Sequence, residues 1–108
     1  MTVSELSLLE GFGVVAMPDG EREIKGVYIG DLLSWVMGRA KADDAWITIM
    51  SNINIVAVAS LADTACVILA EGVSLDASVI ETANAKGVNI LTAAMPAYET
   101  AMALGTRL

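Results

Sequence analysis

The chain has no histidine and a single cysteine, Cys66, among its 108 residues. That leaves no ligand set for a zinc site of the Cys/His kind. It also rules out an internal disulfide and suits a reducing compartment. Any acid–base chemistry would rest on carboxylates, lysines or tyrosines. Basic residues are few, six against thirteen acidic, for a net charge of −7. Arg22, Lys25, Arg39, Lys41, Lys86 and Arg107 are scattered through the sequence, so no positive footprint for nucleic acid is expected. The negative charge serves instead to keep an apolar domain in solution. The longest strongly apolar run, 53–62, is interrupted by Asn54 and Ser60 and stops at Asp63. It falls far short of the ~20 residues of a spanning helix. The opening MTVSELSLLEG has no basic leader and carries two glutamates, so no signal peptide is expected either. These features predict a soluble, cytoplasmic protein without a membrane partner.

Motifs for phosphate handling are also missing. There is no GxxxxGK[ST] sequence, which excludes a P-loop kinase. GxGxxG does not occur, and the nearest glycine pair, Gly11-Phe12-Gly13, precedes an apolar run instead of following one. No cofactor is expected.

What the chain does have is apolar content, 56% of its residues, with a mean hydropathy of +0.64. Both are high for one small domain. A domain of residues 1–108 leaves about a third or more of its surface unburied. The expected outcome is a homodimer with a hydrophobic interface.

Thr2-Val3-Ser4-Glu5 has the capping-box form and predicts a short helix ending near Gly11. Phe12 to Met17 is a short strand, and Pro18-Asp19-Gly20 is turn chemistry. Glu21 to Lys25 is expected to be charged and exposed, followed by a strand over 26–29. Asp31 then suits the N-cap of a helix through Ala40, with Leu32, Leu33, Val36, Met37 and Ala40 at helical spacing. Trp35 and Arg39 fall on a neighbouring face four residues apart, where Trp35 is either extra core or an interface anchor. Gly38 weakens this helix unless close packing needs it.

Residues 45–72 are the centre of the chain. WITIM (46–50) and CVILA (66–70) are β-branched strands. The gap between them suits a parallel crossover, so 53–62 is assigned to a helix with Ser51 or Asn52 as its cap. The pattern then repeats. Ser74 or Asp76 caps a helix ending at Gly87, a strand follows over 88–91, and Pro96 opens a last helix ending at Gly105. The order α-β-β-α-β-α-β-α-β-α predicts an α/β fold with a largely parallel sheet.

GVYIGDLLSWVMGRA, WITI, CVILAEG, GVNIL and AYETA together resemble the DRTGG domain family over nearly the whole chain. Related domains occur in phosphate acetyltransferases and between the nucleotide-sensing modules of regulated pyrophosphatases. The resemblance implies an α/β, dimer-forming regulatory or interaction domain, free-standing members being encoded at times near hydrogenase or other redox genes. Where multidomain relatives often carry Gly-Asp-Arg after the WITI-like strand, this chain has Met50-Ser51-Asn52, and its next strand turn is Glu71-Gly72.

Ligands of open parallel sheets sit at the carboxyl ends of strands. Those ends are Gly30-Asp31, Ser51-Asn52, Glu71-Gly72 and Thr92, the candidate ligand-binding residues. Ser51 and Asn52 either hold an anion at the helix N-terminus or simply cap it, and Asp31 and Glu71 would repel an anion nearby. Asp43-Asp44 is read as a solvated turn and Cys66 as a core residue. A lone Glu71 defines no reaction. The expectation is a non-enzymatic, homodimeric, ligand-sensing regulatory domain taking a nucleotide or other small anion at this edge. The alternative is an interaction module of a metabolic or hydrogenase-type redox complex, working through Trp35 and Arg39.

Overall fold

Local chemistry starts the fold as the sequence predicts. The Thr2 hydroxyl accepts from the Glu5 amide at 3.1 Å, and the Glu5 carboxylate accepts from the Thr2 amide at 2.8 Å. This reciprocal cap opens α1 (Val3–Ser7). The bonds from Thr2 also hold the Glu5 carboxyl below its ordinary pKa. The computed structural model describes residues 1–108. After α1 come β1 (Phe12–Ala16), β2 (Gly26–Ile29), α2 (Leu33–Arg39), β3 (Asp44–Thr48) and α3 (Asn54–Ala62). They are followed by β4 (Cys66–Leu69), α4 (Ala77–Lys86), β5 (Ile90–Ala93) and α5 (Ala97–Gly105). The order is the one expected.

The strands form one α/β sheet in the order β1-β5-β4-β3-β2. β2 to β5 are parallel neighbours, and β1 lies antiparallel to β5 at the far edge. Each crossover helix therefore carries the chain one strand further in the same direction, and the parallel strands have no point where their order reverses.

Alternation along the strands feeds two cores. Trp46, Val67, Leu69 and Ile90 face one side, packing with Val36 of α2, Ile55, Val56 and Ala59 of α3, and Val79 and Ala83 of α4. Ala45, Ile47, Cys66, Ile68 and Leu91 face the other, with Val3 and Leu6 of α1 and Leu104 of α5. Burial on both faces explains why β3 and β4 read as continuous apolar runs. Cys66 is a core residue as expected, and burial pushes its thiol pKa up to about 12. No helix is long and apolar enough to cross a membrane.

Several boundaries and environments differ from expectation, each for a visible reason. β3 begins two residues early because Asp44 already pairs with Gly26 of β2. β5 begins later than Val88: Gly87 is left-handed (φ 73°), and the Val88 amide still donates to Ala83 of α4. The 21–25 segment is not uniformly exposed. Ile24 is 2% exposed and belongs to the α1/α5 core, and Arg22 is tied down by ion pairs. Nor is Asp43-Asp44 a solvated turn. Asp43 (φ 69°) pairs with Arg22 at 3.0 Å and Lys25 at 3.7 Å. Asp44 is buried and accepts from the Lys41 amide at 2.8 Å.

Candidate functional site

Parallel pairing brings the carboxyl ends of β2 to β5 to one edge of the sheet, so the seven candidate residues do share an edge. They do not form one cluster.

At the β2/β3 end the polar groups are spent on the fold. The Gly30 amide donates to Ile47 at 3.1 Å. Its carbonyl accepts from the buried Trp46 indole at 2.8 Å, the partner that a buried indole needs. Asp31 is not the cap of α2: the residue at the N-cap is Leu32, which makes no side-chain cap bond. The Asp31 carboxylate instead accepts from the Thr48 hydroxyl at 2.8 Å and the Ile49 amide at 3.0 Å. The cause is the end of the ladder. β2 stops at Ile29, which leaves the Ile49 amide without a strand partner, and Asp31 supplies one. The N-cap of α3 is Ile53, which makes no side-chain cap bond, and the Asn52 carboxamide just before it accepts from the Asn54 amide at 2.9 Å, while Ser51 is exposed. This end is a set of locks more than a cradle.

The β4/β5 end is different. Glu71 (φ 62°) and Gly72 (φ 66°) turn the chain sharply away from β4. The Glu71 amide donates to Met95 and the Gly72 amide to Ala93, each at 2.9 Å. Beside this turn lies a groove of about 470 Å³. Gly72 and Thr92, two of the seven candidates, line it. Its floor is the start of β1. Because β1 runs antiparallel, its first residues arrive at the carboxyl edge of the parallel strands, and the Ala94 amide donates to Gly11 at 2.9 Å. Gly13 and Val15 lie on the α4 side, Phe12 packs into the opposite core, and Gly11 (φ 90°) lines the groove from the turn before the strand. Val73 and Leu75 of the β4–α4 connection and Ile80 of α4 make the walls.

No charged residue lines the groove. The Thr92 hydroxyl and the backbone amides of Ser74 and Leu75 are unpaired within the protein. The site can therefore bind through apolar contact and donated hydrogen bonds, and its two hydroxyls, of Ser74 and Thr92, have no titratable side chain among the lining residues beside them.

Trp35 and Arg39 lie elsewhere, on the outer face of α2. Trp35 is 52% exposed, so it is not core, and the Arg39 guanidinium stacks 3.7 Å from its ring centroid. Leu32 and Met37 of the same segment are also at least half exposed.

Over residues 7–106 the chain matches the DRTGG domain. The chain belongs to the DRTGG domain family. No curated protein sequence matches it. Among solved structures it is similar to the CBS and DRTGG domains of the regulatory region of Clostridium perfringens pyrophosphatase, crystallised with the activator diadenosine tetraphosphate. The TM-score is 0.72 at 11% identity, a likeness of fold. The match covers 94% of this chain but only 44% of the other, so this DRTGG domain spans less than half the length of that regulatory region.

Sequence reasoning missed Gly11, Gly13 and the Val73–Leu75 wall. Gly11-Phe12-Gly13 is indeed no dinucleotide fingerprint. Its importance comes from β1 lying antiparallel beside β5, which no local pattern announces.

Proposed function

We propose that residues 1–108 act as one non-enzymatic regulatory domain, a homodimer that senses a small ligand at the carboxyl edge of its sheet. The observation that carries this reading is the groove between β1, β5 and the β4–α4 connection. It is preformed, apolar, supplied with unpaired donors and free of titratable groups. Membership of the DRTGG family supports a regulatory role. The related fold in a pyrophosphatase regulatory region bound to a dinucleotide makes nucleotides the first class to test. The anion-binding turn expected at Ser51-Asn52 has less support, since the Asn52 carboxamide already occupies the Asn54 amide.

The test is thermal unfolding of the purified protein against nucleosides, nucleotides, dinucleotides and common phosphorylated metabolites. A ligand at a hundred times its Kd stabilises the folded state by about 2.7 kcal/mol, an easily resolved shift. Folded protein that responds to no compound would sink the ligand-sensing reading.

A second reading rests on the exposed face of α2. Trp35, Leu32 and Met37 offer an apolar surface of the kind that interfaces bury, with an aromatic anchor. Through it the domain would dock onto an enzyme of a metabolic or redox complex. Trp35→Ala separates the two readings: it should abolish capture of that enzyme while leaving any ligand-induced stabilisation unchanged.

A further inference from the structure

The distribution of charge across the sheet says what kind of ligand the groove can take. All six bases lie at the edge opposite it. Arg22 and Lys25 precede β2, Arg39 and Lys41 flank the α2–β3 turn, Lys86 closes α4 before β5, and Arg107 follows α5. The carboxyl edge carries exposed acids only. Glu10 is next to Gly11, Glu71 next to Gly72 and Asp76 next to Leu75, so three carboxylates stand one residue from the groove lining. A phosphate placed here would meet like charge and find no cation to pair with.

Shape narrows the choice further. Gly13, the second residue of β1, presents bare backbone to the groove, and Gly11 (φ 90°) lies in the turn just before the strand, where an added Cβ would run into the Met95 side chain. A Cβ built on Gly13 would stand 3.0 Å from the Thr92 hydroxyl, so a side chain at this position would crowd the hydroxyl that the groove offers. Branched side chains, Val73, Leu75 and Ile80, wall the groove in. A flat strip between apolar walls suits a planar ring. The unpaired Thr92 hydroxyl and the Ser74 and Leu75 amides supply donors for ring nitrogens or carbonyls.

We infer that this groove binds an uncharged planar heterocycle, a nucleobase with or without its sugar, and that the protein gives no favourable contact to any phosphate the ligand carries. The inference rests on the ligand-sensing reading and makes it specific.

The test compares adenosine, guanosine, cytidine and uridine with their 5′-mono- and triphosphates by calorimetric titration, in metal-free buffer at low and high salt. At least one nucleoside should bind, and its triphosphate should bind several-fold more weakly at low salt. Added salt should narrow the gap, because screening relieves the repulsion. Gly13→Val should remove binding, and Thr92→Ala should weaken it several-fold. A triphosphate that binds tenfold or more tightly than its nucleoside, with the advantage lost in high salt, would overturn the inference while leaving ligand sensing intact. Nucleoside binding unchanged in both variants would overturn the assignment to this groove. Silence from every nucleoside and nucleotide would also overturn the inference, and the wider metabolite screen then decides the ligand-sensing reading separately.

Discussion

The two edges of the sheet are built on opposite principles. At the amino edge nearly every polar group has a partner. Arg22 donates from Nε to Asp43 at 3.1 Å and from its terminal nitrogen to the Asp63 carboxylate at 2.9 Å. It thereby links the β1–β2 connection to the residues preceding β3 and β4. Asn89, 1% exposed, donates to the carbonyls of Asp19 and Ala65 and accepts from the Asp19 amide, which ties the end of β1 to β4 and β5. At the carboxyl edge beside β4 and β5, donors are left unpaired and glycines leave the backbone bare. The amino edge is satisfied and holds the fold together; this part of the carboxyl edge is unsatisfied and open. A group with no partner in the free protein is one that a ligand can satisfy without first breaking a bond.

The strongest way to break that contrast is at Asn89. Asn89→Leu leaves the Asp19 amide and the Ala65 carbonyl unpaired in or near the core, while the Asp19 carbonyl keeps only the Arg22 amide at 3.3 Å. It should cost about 3–4 kcal/mol in urea unfolding, with ligand-induced stabilisation preserved in the fraction that folds. Arg22→Met comes next. Its ion pairs are partly screened, the Arg22 side chain being 23% exposed and Asp63 65%, so the expected loss is about 1–2 kcal/mol. The gap to the parent protein should shrink in about 1 M salt, where the screening length is about 3 Å. A loss that salt does not change would mean that the arginine acts by packing its stem.

The amino edge has one exception, and it gives a gain where its neighbours give losses. Thr64 is 6% exposed and its hydroxyl has no partner. Thr64→Val keeps the shape and removes the unpaired oxygen, so it should stabilise the protein by about 1 kcal/mol. A destabilised valine variant would show that the hydroxyl is bonded to water in solution.

How much of this was legible in the sequence follows from the range of the forces involved. The order of elements was readable because caps, glycine stops and strand runs are local: Thr2 with Glu5, Gly87, and Cys66 to Leu69 each signal within a few residues. The family resemblance was legible for the same reason, being carried by those runs. The roles of Asp31, Asp43 and Asn89 were not, because their partners lie many residues away and depend on register. Asp31 looked like a cap because it precedes a helix, yet its bonds are to β3. The candidate edge was half legible. Gly72 and Thr92 were placed by the rule that strand ends bind ligands, but the groove also needs β1, and nothing local says that β1 lies antiparallel beside β5.

The smallest effect on stability is expected at Thr92, and it is the most informative about the contrast. Its hydroxyl makes no bond within the protein, and its backbone sits in the ladder between β4 and β1, paired with Leu69 and Gly13. Thr92→Ala removes the hydroxyl and one methyl from a half-buried position and keeps the backbone bonds. Urea unfolding should therefore change by no more than about 0.5 kcal/mol. Thr48, the corresponding hydroxyl at the end of β3, bonds to Asp31 at 2.8 Å and accepts from the Met50 amide at 3.2 Å. Thr48→Ala should cost about 1–2 kcal/mol by the same measurement. Equal losses for the two would mean that Thr92 also holds the fold and that the carboxyl edge is not divided as described. Unequal losses, with ligand response reduced only in Thr92→Ala, would locate the ligand at the β4/β5 end and leave the β2/β3 end as its scaffold.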